Sequence, residues 1–386
     1  MTVEMLPPPH MASARVEDPP LLVGEGDGEG AFRDVGGPPS AAVRGLPATA
    51  AEWERCRGAL RRAWEAYLGV DKYRERETRE AAQGRAVEAH TRIAARGESQ
   101  PVPEHRIERE EDHGGAKGTL LYLRTPAGEW SKCYLLVPDP PPANPAPAMV
   151  VFYYDVDLPV GRNMGGSHWR EDREASQFAR HLVRRGYVVL VQRWYFEAHS
   201  EQPTAGSLHE RYLRAVERLR RTTPGLKGLG RVVLDAAACV DYLLTLPFVD
   251  ASRIGCMGHS LGGKMALYAS AFDERYRAVV SSEPGIGIPY SNWDDPWYLG
   301  PEVRDARFRF DHHQLLALIA PRPFLLIAGE SSDGERSWRY LNTARDVYAL
   351  YGRSDAIGMV NHRTGHTPTL EAVAAAYEWL DRQLGT

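Results

Sequence analysis

The sequence predicts an α/β fold, in which a mostly parallel, twisted sheet of about eight strands carries helices on both faces. Short, almost continuously apolar runs alternate with longer segments of helical periodicity from about residue 118 onward. Such runs are typical of strands buried on both faces, and their alternation with helices is typical of a parallel sheet. The chain has 386 residues, of which 43% are hydrophobic and 25% charged. This composition is that of a globular protein.

The apolar runs and helical patterns give the order of the elements. The predicted strands lie at 118–125, 132–138, 148–154, 187–194, 253–257, 278–282, 323–328 and 356–362. The predicted helices lie at about 171–185, 230–246, 262–272, 335–351 and 369–384. Two insertions, 196–229 and 284–320, are longer than ordinary connections. We expect them to shape a binding pocket at the carboxyl edge of the sheet.

The N-terminal part of the chain differs in composition from the rest. Residues 1–50 are rich in Pro and Gly and contain a single aromatic residue, so we predict a flexible or loosely draped arm. The segment 51–117 opens with an amphipathic pattern that includes Trp53 and Trp64, which predicts a helical N-terminal extension. The main α/β domain is then predicted over residues 118–386.

Charge and cysteine usage argue against several classes of function. The chain has 47 Lys and Arg against 51 Asp and Glu, a formal net charge of −4, so we expect no nucleic-acid partner. Its 4 cysteines form no CxxC pair, which argues against a zinc site and a disulfide framework. We recognise no secretory signal and no membrane-spanning run. A cytoplasmic protein without a membrane partner is therefore expected, and a homo-oligomer is compatible with the sequence.

The most specific motif is Gly258-His259-Ser260-Leu261-Gly262-Gly263, between a predicted strand and a predicted helix. A G-x-S-x-G sequence in that context is typical of a nucleophile elbow, and the flanking glycines relieve crowding at a strained turn. Ser260 is therefore the candidate nucleophile. The N–H of Leu261, at the start of the helix, is a candidate oxyanion donor. We expect His259 to face away from the nucleophile.

A nucleophilic serine needs a base, and the base needs an orienting acid. After a nucleophile elbow, the chain order is serine, acid and then histidine. His366 lies in the loop after the last predicted strand and is favoured over His362, which falls within that strand. Asp333 is the predicted acid because it follows the strand 323–328. Glu283, which follows the preceding predicted strand, is the alternative.

A second oxyanion donor is expected in the loop after the strand 148–154. The backbone N–H of Tyr154 or Asp155 is the candidate, and the hydroxyl of Tyr153 or Tyr154 is an alternative. The insertion 284–320 contributes aromatic residues that are candidates for the wall of a substrate pocket, and a packed lid is an equally good interpretation. These residues are Trp293, Trp297 and Tyr298.

The sequence resembles the α/β-hydrolase superfamily. The stretch LPFVDASRIG at 246–255, which runs into GHSLGGK, is similar to the dienelactone-hydrolase-like and acetyl-xylan-esterase-like branches. DHHQLLALIAPRP at 311–323 resembles a segment of the glucuronoyl esterases, as do Ser282-Glu283-Pro284-Gly285 and Gly263-Lys264. The glucuronoyl esterases have Arg directly after the serine, whereas this chain has Leu261. The resemblance covers about residues 118–386. It implies the α/β-hydrolase fold and hydrolysis of an ester or related acyl bond without a metal or an organic cofactor.

These observations predict a serine hydrolase acting on a small-molecule ester or acyl substrate. Ser260 would attack the acyl carbonyl, His366 would take up and return the proton, and water would resolve the acyl-enzyme. An acyltransferase or cyclase using the same residues is the alternative hypothesis. A non-catalytic binding protein on this fold is a further one.

Overall fold

A nine-stranded mixed sheet forms the centre of the molecule. The computed structural model describes residues 1–16, 47–75, 103–125, 128–166, 169–200 and 206–385. The strands are β1 His105–Asp112, β2 Ala116–Arg124, β3 Trp130–Pro138, β4 Ala146–Tyr153, β5 Val188–Arg193, β6 Val249–His259, β7 Tyr276–Ser282, β8 Phe324–Ala328 and β9 Ile357–Asn361. Their spatial order is β1-β2-β3-β5-β4-β6-β7-β8-β9. The pairs β1-β2, β2-β3 and β3-β5 are antiparallel, and the pairs β5-β4, β4-β6, β6-β7, β7-β8 and β8-β9 are parallel. This mostly parallel sheet confirms the predicted fold class.

Helices cover both faces of this sheet. They are α1 Ala50–Leu68, α2 Asp157–Val160, α3 Phe178–Val183, α4 Tyr195–Ser200, α5 Leu208–Thr222, α6 Gly228–Leu243, α7 Leu261–Phe272, α8 His312–Ile319, α9 Trp338–Leu350 and α10 Leu370–Leu384. Along β4, Val150 and Phe152 join one apolar layer while Met149 and Val151 join the other, and all four are fully buried. Alternation along a strand directs successive side chains to opposite faces, so β4 contributes to both halves of the core. None of the described helices is long and apolar enough to cross a membrane.

The predicted amphipathic helix near residue 51 is α1. The Thr49 side chain caps its start by accepting the N–H of Glu52, and Gly69 ends it in the left-handed region at φ 76°. Trp53 and Trp64 are fully buried. The Trp64 indole N–H donates to Gln314 of α8 at 3.1 Å, so α1 packs on its own domain.

The N-terminal segments differ from their prediction in two respects. β1 and the start of β2 fall within 51–117, so the sheet begins before residue 118 and the helical interpretation of that segment is incomplete. Residues 1–16, within the predicted arm, are bound to the main domain. Glu4 pairs with Met359 at the edge of β9, and Arg15 forms an ion pair with Asp346 of α9 at 2.9 Å. The remaining parts of these predictions, 17–46 and 76–102, lie outside the described residues.

Candidate active site

Ser260 lies at the sharp turn between β6 and α7. Its backbone has φ 57° and ψ −116°, a conformation that costs free energy in a residue with a side chain. A Cβ atom at Gly262 would lie 2.0 Å from the Phe152 carbonyl oxygen, and one at Gly258 would lie 2.3 Å from the backbone of Gly262. Gly262 is therefore required for the close approach of the turn to β4, and Gly258 for the tight turn itself. The structure places Ser260 as the G-x-S-x-G motif predicts for an elbow.

The imidazole of His366 lies between Ser260 and an acidic side chain. His366 is in the loop after β9, and its Nε2 is 2.9 Å from Ser260 Oγ. Its Nδ1 is 3.3 Å from Oε2 of Glu283, which follows β7 and is buried. This is the arrangement of a serine–histidine–acid chain. His362, the competing histidine, instead has its Nδ1 2.6 Å from the Thr364 hydroxyl.

Backbone amides of the loop after β8 hold the carboxylate of Glu283. It accepts the N–H of Ser332 at 2.8 Å and that of Asp333 at 3.2 Å, together with a short hydrogen bond from Gly329. Glu283 itself has a left-handed φ of 48°. Three backbone donors fix the carboxylate so that one oxygen faces His366, which is the task of an orienting acid.

Asp333, the acid favoured from the sequence, has a different set of partners. Its carboxylate accepts the N–H groups of Gly285 and Ile286 at 2.6 and 2.8 Å and the hydroxyl of Ser337 at 2.8 Å. Burial raises the pKa of Asp333 to about 6, and the negative charge of Glu283 adds to this shift. Glu283, in the loop after β7, thus binds backbone amides of the loop after β8. Asp333, in the loop after β8, binds backbone amides of the loop after β7. The preference for Asp333 is corrected, because the alternative Glu283 is the acid that the structure brings to His366.

The loop after β4 brings a phenol to the nucleophile. The side chain of Tyr154 interacts with that of Ser260, and burial raises the pKa of Tyr154, so the phenol keeps its proton. The side chain of Tyr153 instead interacts with Arg173. Asp155 accepts the N–H of Val156 at 2.6 Å through its side chain, which shapes the turn. Of the two tyrosine hydroxyls considered from the sequence, that of Tyr154 is the one at Ser260.

The ring of His259 packs against that of His366. The two rings have centroids 4.8 Å apart, and Nδ1 of His259 lies 3.0 Å from the Ser282 hydroxyl. Burial lowers the pKa of His259 well below its usual value, so the ring is neutral. It packs against one side of the His366 imidazole.

The aromatic residues of the insertion 284–320 are packed rather than open to solvent. Trp293, Trp297 and Tyr298 are 0%, 6% and 4% exposed. The Trp293 indole N–H donates to the Gly285 carbonyl at 2.7 Å, close to Glu283 in the chain. The packed-lid interpretation fits these contacts, and their assignment as a substrate wall stays a prediction.

Lys264 lies in this region, and no role was predicted for it from the sequence. It lies on the first turn of α7, where its ammonium group donates to the Pro284 carbonyl at 2.7 Å and to the Ser291 hydroxyl at 2.8 Å. It also stands 3.6 Å from the ring centroid of Trp293, a cation–π contact. Burial lowers the pKa of Lys264 to about 7. One feature of the sequence could have identified Lys264: it is the single charged residue in a helix made otherwise of apolar and small residues, LGGKMALYASAF.

The lowered pKa of Lys264 predicts a pH-dependent stability. The group ordinarily titrates near 10.5, so between about pH 7 and pH 10 the unfolded chain binds a proton that the folded chain does not. The free energy of unfolding of the wild type, relative to Lys264→Met, should therefore rise with pH across this window. The slope is at most about 1.4 kcal/mol per pH unit. Urea unfolding at several pH values measures it, with Lys117→Met at an exposed lysine as control. Parallel curves for wild type and Lys264→Met would contradict the assignment.

Two family models match overlapping parts of the chain. The dienelactone hydrolase family matches residues 135–292 and the prolyl oligopeptidase family matches residues 229–386. A solved structure of a glucuronoyl esterase from Solibacter usitatus superposes with a TM-score of 0.62 at 18% identity, covering 96% of this chain and 99% of that one. The chain therefore has the α/β-hydrolase fold. The sequence-based resemblance to the α/β-hydrolase superfamily is thereby confirmed.

Curated relatives of this α/β-hydrolase align over shorter stretches. YtaP of Bacillus subtilis (strain 168) is 29% identical over 164 residues, which is 39% of this chain and 54% of that protein. The 4-O-methyl-glucuronoyl methylesterase 1 of Sodiomyces alcalophilus is 30% identical over 154 residues, 32% of this chain and 30% of that protein. The chain thus spans about half, or less, of the length of these relatives. Within the described residues of the hydrolase, no group of three His, Cys, Asp or Glu is placed to hold a metal ion.

Proposed function

We propose that this α/β-hydrolase is a serine esterase that cleaves a carboxylic ester borne by a carbohydrate. The observation that carries the proposal is the alignment of Ser260 Oγ, the His366 imidazole and the Glu283 carboxylate through contacts of 2.9 and 3.3 Å. Serine in this setting is made nucleophilic by loss of its proton to the imidazole.

In the first half of the reaction, Ser260 Oγ attacks the ester carbonyl carbon. His366 Nε2 accepts the serine proton and then gives it to the departing alcohol as the tetrahedral intermediate collapses to an acyl-enzyme. In the second half, a water molecule gives a proton to Nε2 and attacks the acyl carbon, and the proton returns to Ser260 when the acid leaves. The Glu283 carboxylate accepts the Nδ1 proton of His366 in a hydrogen bond and stabilises the imidazolium that forms twice.

The negative charge on the carbonyl oxygen needs donors at each tetrahedral stage. The N–H of Leu261 lies at the first turn of α7, where helical N–H groups have no intrahelical acceptor. The Tyr154 hydroxyl, whose side chain interacts with Ser260, is a candidate second donor, and the backbone N–H of Tyr154 or Asp155 is the alternative. Each such donor contributes roughly 3 kcal/mol to the stabilisation of the transition state.

The carbohydrate part of the proposal is supported by the kinds of protein that the chain resembles. They include a glucuronoyl esterase, an acetyl xylan esterase and a 4-O-methyl-glucuronoyl methylesterase.

An ester panel tests this function. We expect purified protein to hydrolyse acetylated xylo-oligosaccharides or methyl glucuronate esters with a higher kcat/KM than a simple acetyl ester such as p-nitrophenyl acetate. Release of acetate or methanol is measured against Ser260→Ala as the blank. Hydrolysis of p-nitrophenyl acetate alone would support the esterase and remove the carbohydrate assignment, whereas no hydrolysis of any ester would remove both.

A further inference from the structure

The backbone that carries the acid Glu283 is strained. Glu283 has a left-handed φ of 48°, and its carboxylate nevertheless lies 3.3 Å from Nδ1 of His366. A residue with a side chain stays in this region of φ only where the surrounding contacts fix it. The contacts of the next residues, 284–286, therefore decide where the carboxylate lies relative to the imidazole.

Side chains from three parts of the fold hold the three carbonyl groups that follow Glu283. Each side chain is the donor to one carbonyl oxygen. The pairs are Lys264 with Pro284 at 2.7 Å, Trp293 with Gly285 at 2.7 Å and His312 with Ile286 at 3.0 Å. The N–H groups of residues 285 and 286 are bound by Asp333, as described above. The turn is thus fixed at successive residues by groups that lie elsewhere in the chain.

The three donors also pack on one another. The Lys264 ammonium lies 3.6 Å from the ring centroid of Trp293, and that centroid lies 4.1 Å from the ring centroid of His312. All three side chains are buried. They form one continuous stack, in which a change at one donor is felt by the next.

The hydrogen bonds of His312 fix its tautomer. A carbonyl oxygen only accepts, so Nδ1, which faces the Ile286 carbonyl, carries the proton. Burial lowers the pKa of His312 well below its usual value, so the ring is neutral and Nε2 has no proton. Nε2 therefore accepts from the Tyr268 hydroxyl, 2.9 Å away on α7. The ring thus connects α7, the helix that begins directly after Ser260, with the loop that carries the acid.

We propose that His312 is a positioning residue for the acid of the catalytic site. Its Nδ1–H holds the Ile286 carbonyl and so keeps the strained turn at Glu283 in the geometry that brings the carboxylate to His366. This role rests on the esterase function proposed above. Ile286 is fully buried, so its carbonyl is costly to leave unpaired, and the turn would shift to find another donor. A shift of about 1 Å at a catalytic group can lower a rate by about 10²-fold.

Conservative substitutions separate positioning from packing. An asparagine amide nitrogen lies as many bonds from Cβ as Nδ1 of histidine, whereas a glutamine amide nitrogen lies as many bonds away as Nε2. We expect His312→Asn to keep kcat for p-nitrophenyl acetate within about threefold of the wild type. His312→Gln and His312→Phe should lower kcat at least about tenfold and leave KM within about twofold. A packing role would reverse the order of the two amides, because glutamine fills more of the space that histidine leaves.

A double-mutant cycle tests whether His312 acts through Glu283. His312→Gln should lower kcat at least about tenfold in the wild type but less than about twofold in the Glu283→Gln background, where no carboxylate remains to be positioned. Equal losses in the two backgrounds would overturn the proposal, as would an asparagine variant no more active than the glutamine variant. The two amide variants carry the test if His312→Phe does not fold.

His113→Gln is the matched control, since it makes the same substitution at another buried histidine, between β1 and β2. It should leave kcat unchanged. A wild-type protein that hydrolyses no ester and takes up no fluorophosphonate would remove the esterase function and the role of His312 together. An active wild type with an unchanged kcat in His312→Gln would remove the role of His312 alone.

Discussion

Replacing Ser260 with alanine is expected to lower kcat/KM for an ester substrate by at least about 10³-fold, because it removes the atom that forms the acyl-enzyme. His366→Ala should cause a loss of similar size, since the serine at 2.9 Å from Nε2 then has no base. The double variant should be little worse than either single one, because the two residues act as one unit. Initial rates with a chromogenic acetyl ester measure all three.

Ser252→Ala, at an exposed serine near the start of β6, is the matched control and should keep the wild-type rate. Equal thermal unfolding temperatures for all variants would show that the loss is chemical and not a loss of folded protein. A Ser260→Ala protein that keeps more than a tenth of the wild-type rate would contradict the assignment of this serine.

Exchanging the two acids for their amides should have unequal effects. Glu283→Gln is expected to lower kcat by roughly 10²- to 10⁴-fold, because the amide no longer stabilises the imidazolium of His366 or fixes its tautomer. Asp333→Asn should lower kcat less than tenfold, since the Asp333 carboxylate binds the Gly285 and Ile286 amides and the Ser337 hydroxyl, and not His366. It should instead lower the thermal unfolding temperature, because an amide cannot accept both N–H groups with the same geometry.

Steady-state kinetics and thermal melts on the two variants separate these roles. A larger loss of kcat in Asp333→Asn than in Glu283→Gln would reverse the assignment and favour the acid first chosen from the sequence. Glu274→Gln, at a largely exposed acid distant in sequence from both loops, is the control and should change neither quantity.

The central parallel strands could be predicted because strands buried on both faces are nearly continuous runs of apolar residues. The predicted strand 148–154 is observed as β4 at Ala146–Tyr153, with every residue buried. β1 was missed for the opposite reason. Its sequence, HRIEREED, lies at the sheet edge and is exposed along almost its whole length, so neither an apolar run nor an alternating pattern identifies it.

The order of nucleophile, acid and histidine could be predicted from the chain, but the choice between two acids could not. Glu283 and Asp333 both follow parallel strands that are neighbours in the sheet, so sequence position places them equally close to His366. The Glu283 carboxylate, on a residue with a left-handed backbone, lies within reach of the imidazole. The Asp333 carboxylate binds the amides of Gly285 and Ile286 instead. Its position after a strand made Glu283 the alternative acid, and the resemblance of Ser282-Glu283-Pro284-Gly285 to the glucuronoyl esterases also pointed to it.

The contact between Lys264 and the aromatic residues of the insertion 284–320 is a second feature that could not be predicted from the sequence. An aromatic-rich insertion indicates packing or a pocket equally well, and the structure uses the Trp293 ring to cover the ammonium of Lys264. That contact joins residues 29 positions apart. It depends on how the insertion folds back over α7, which no local pattern records.

Covalent labelling tests the nucleophile most directly. The protein is treated with a fluorophosphonate probe, digested, and the modified peptide is mapped by mass spectrometry. We predict one modified residue, Ser260, in the wild type, with labelling abolished in Ser260→Ala and strongly slowed in His366→Ala. Absence of labelling in a folded, ester-hydrolysing wild-type protein, or modification at a different serine, would contradict the assignment.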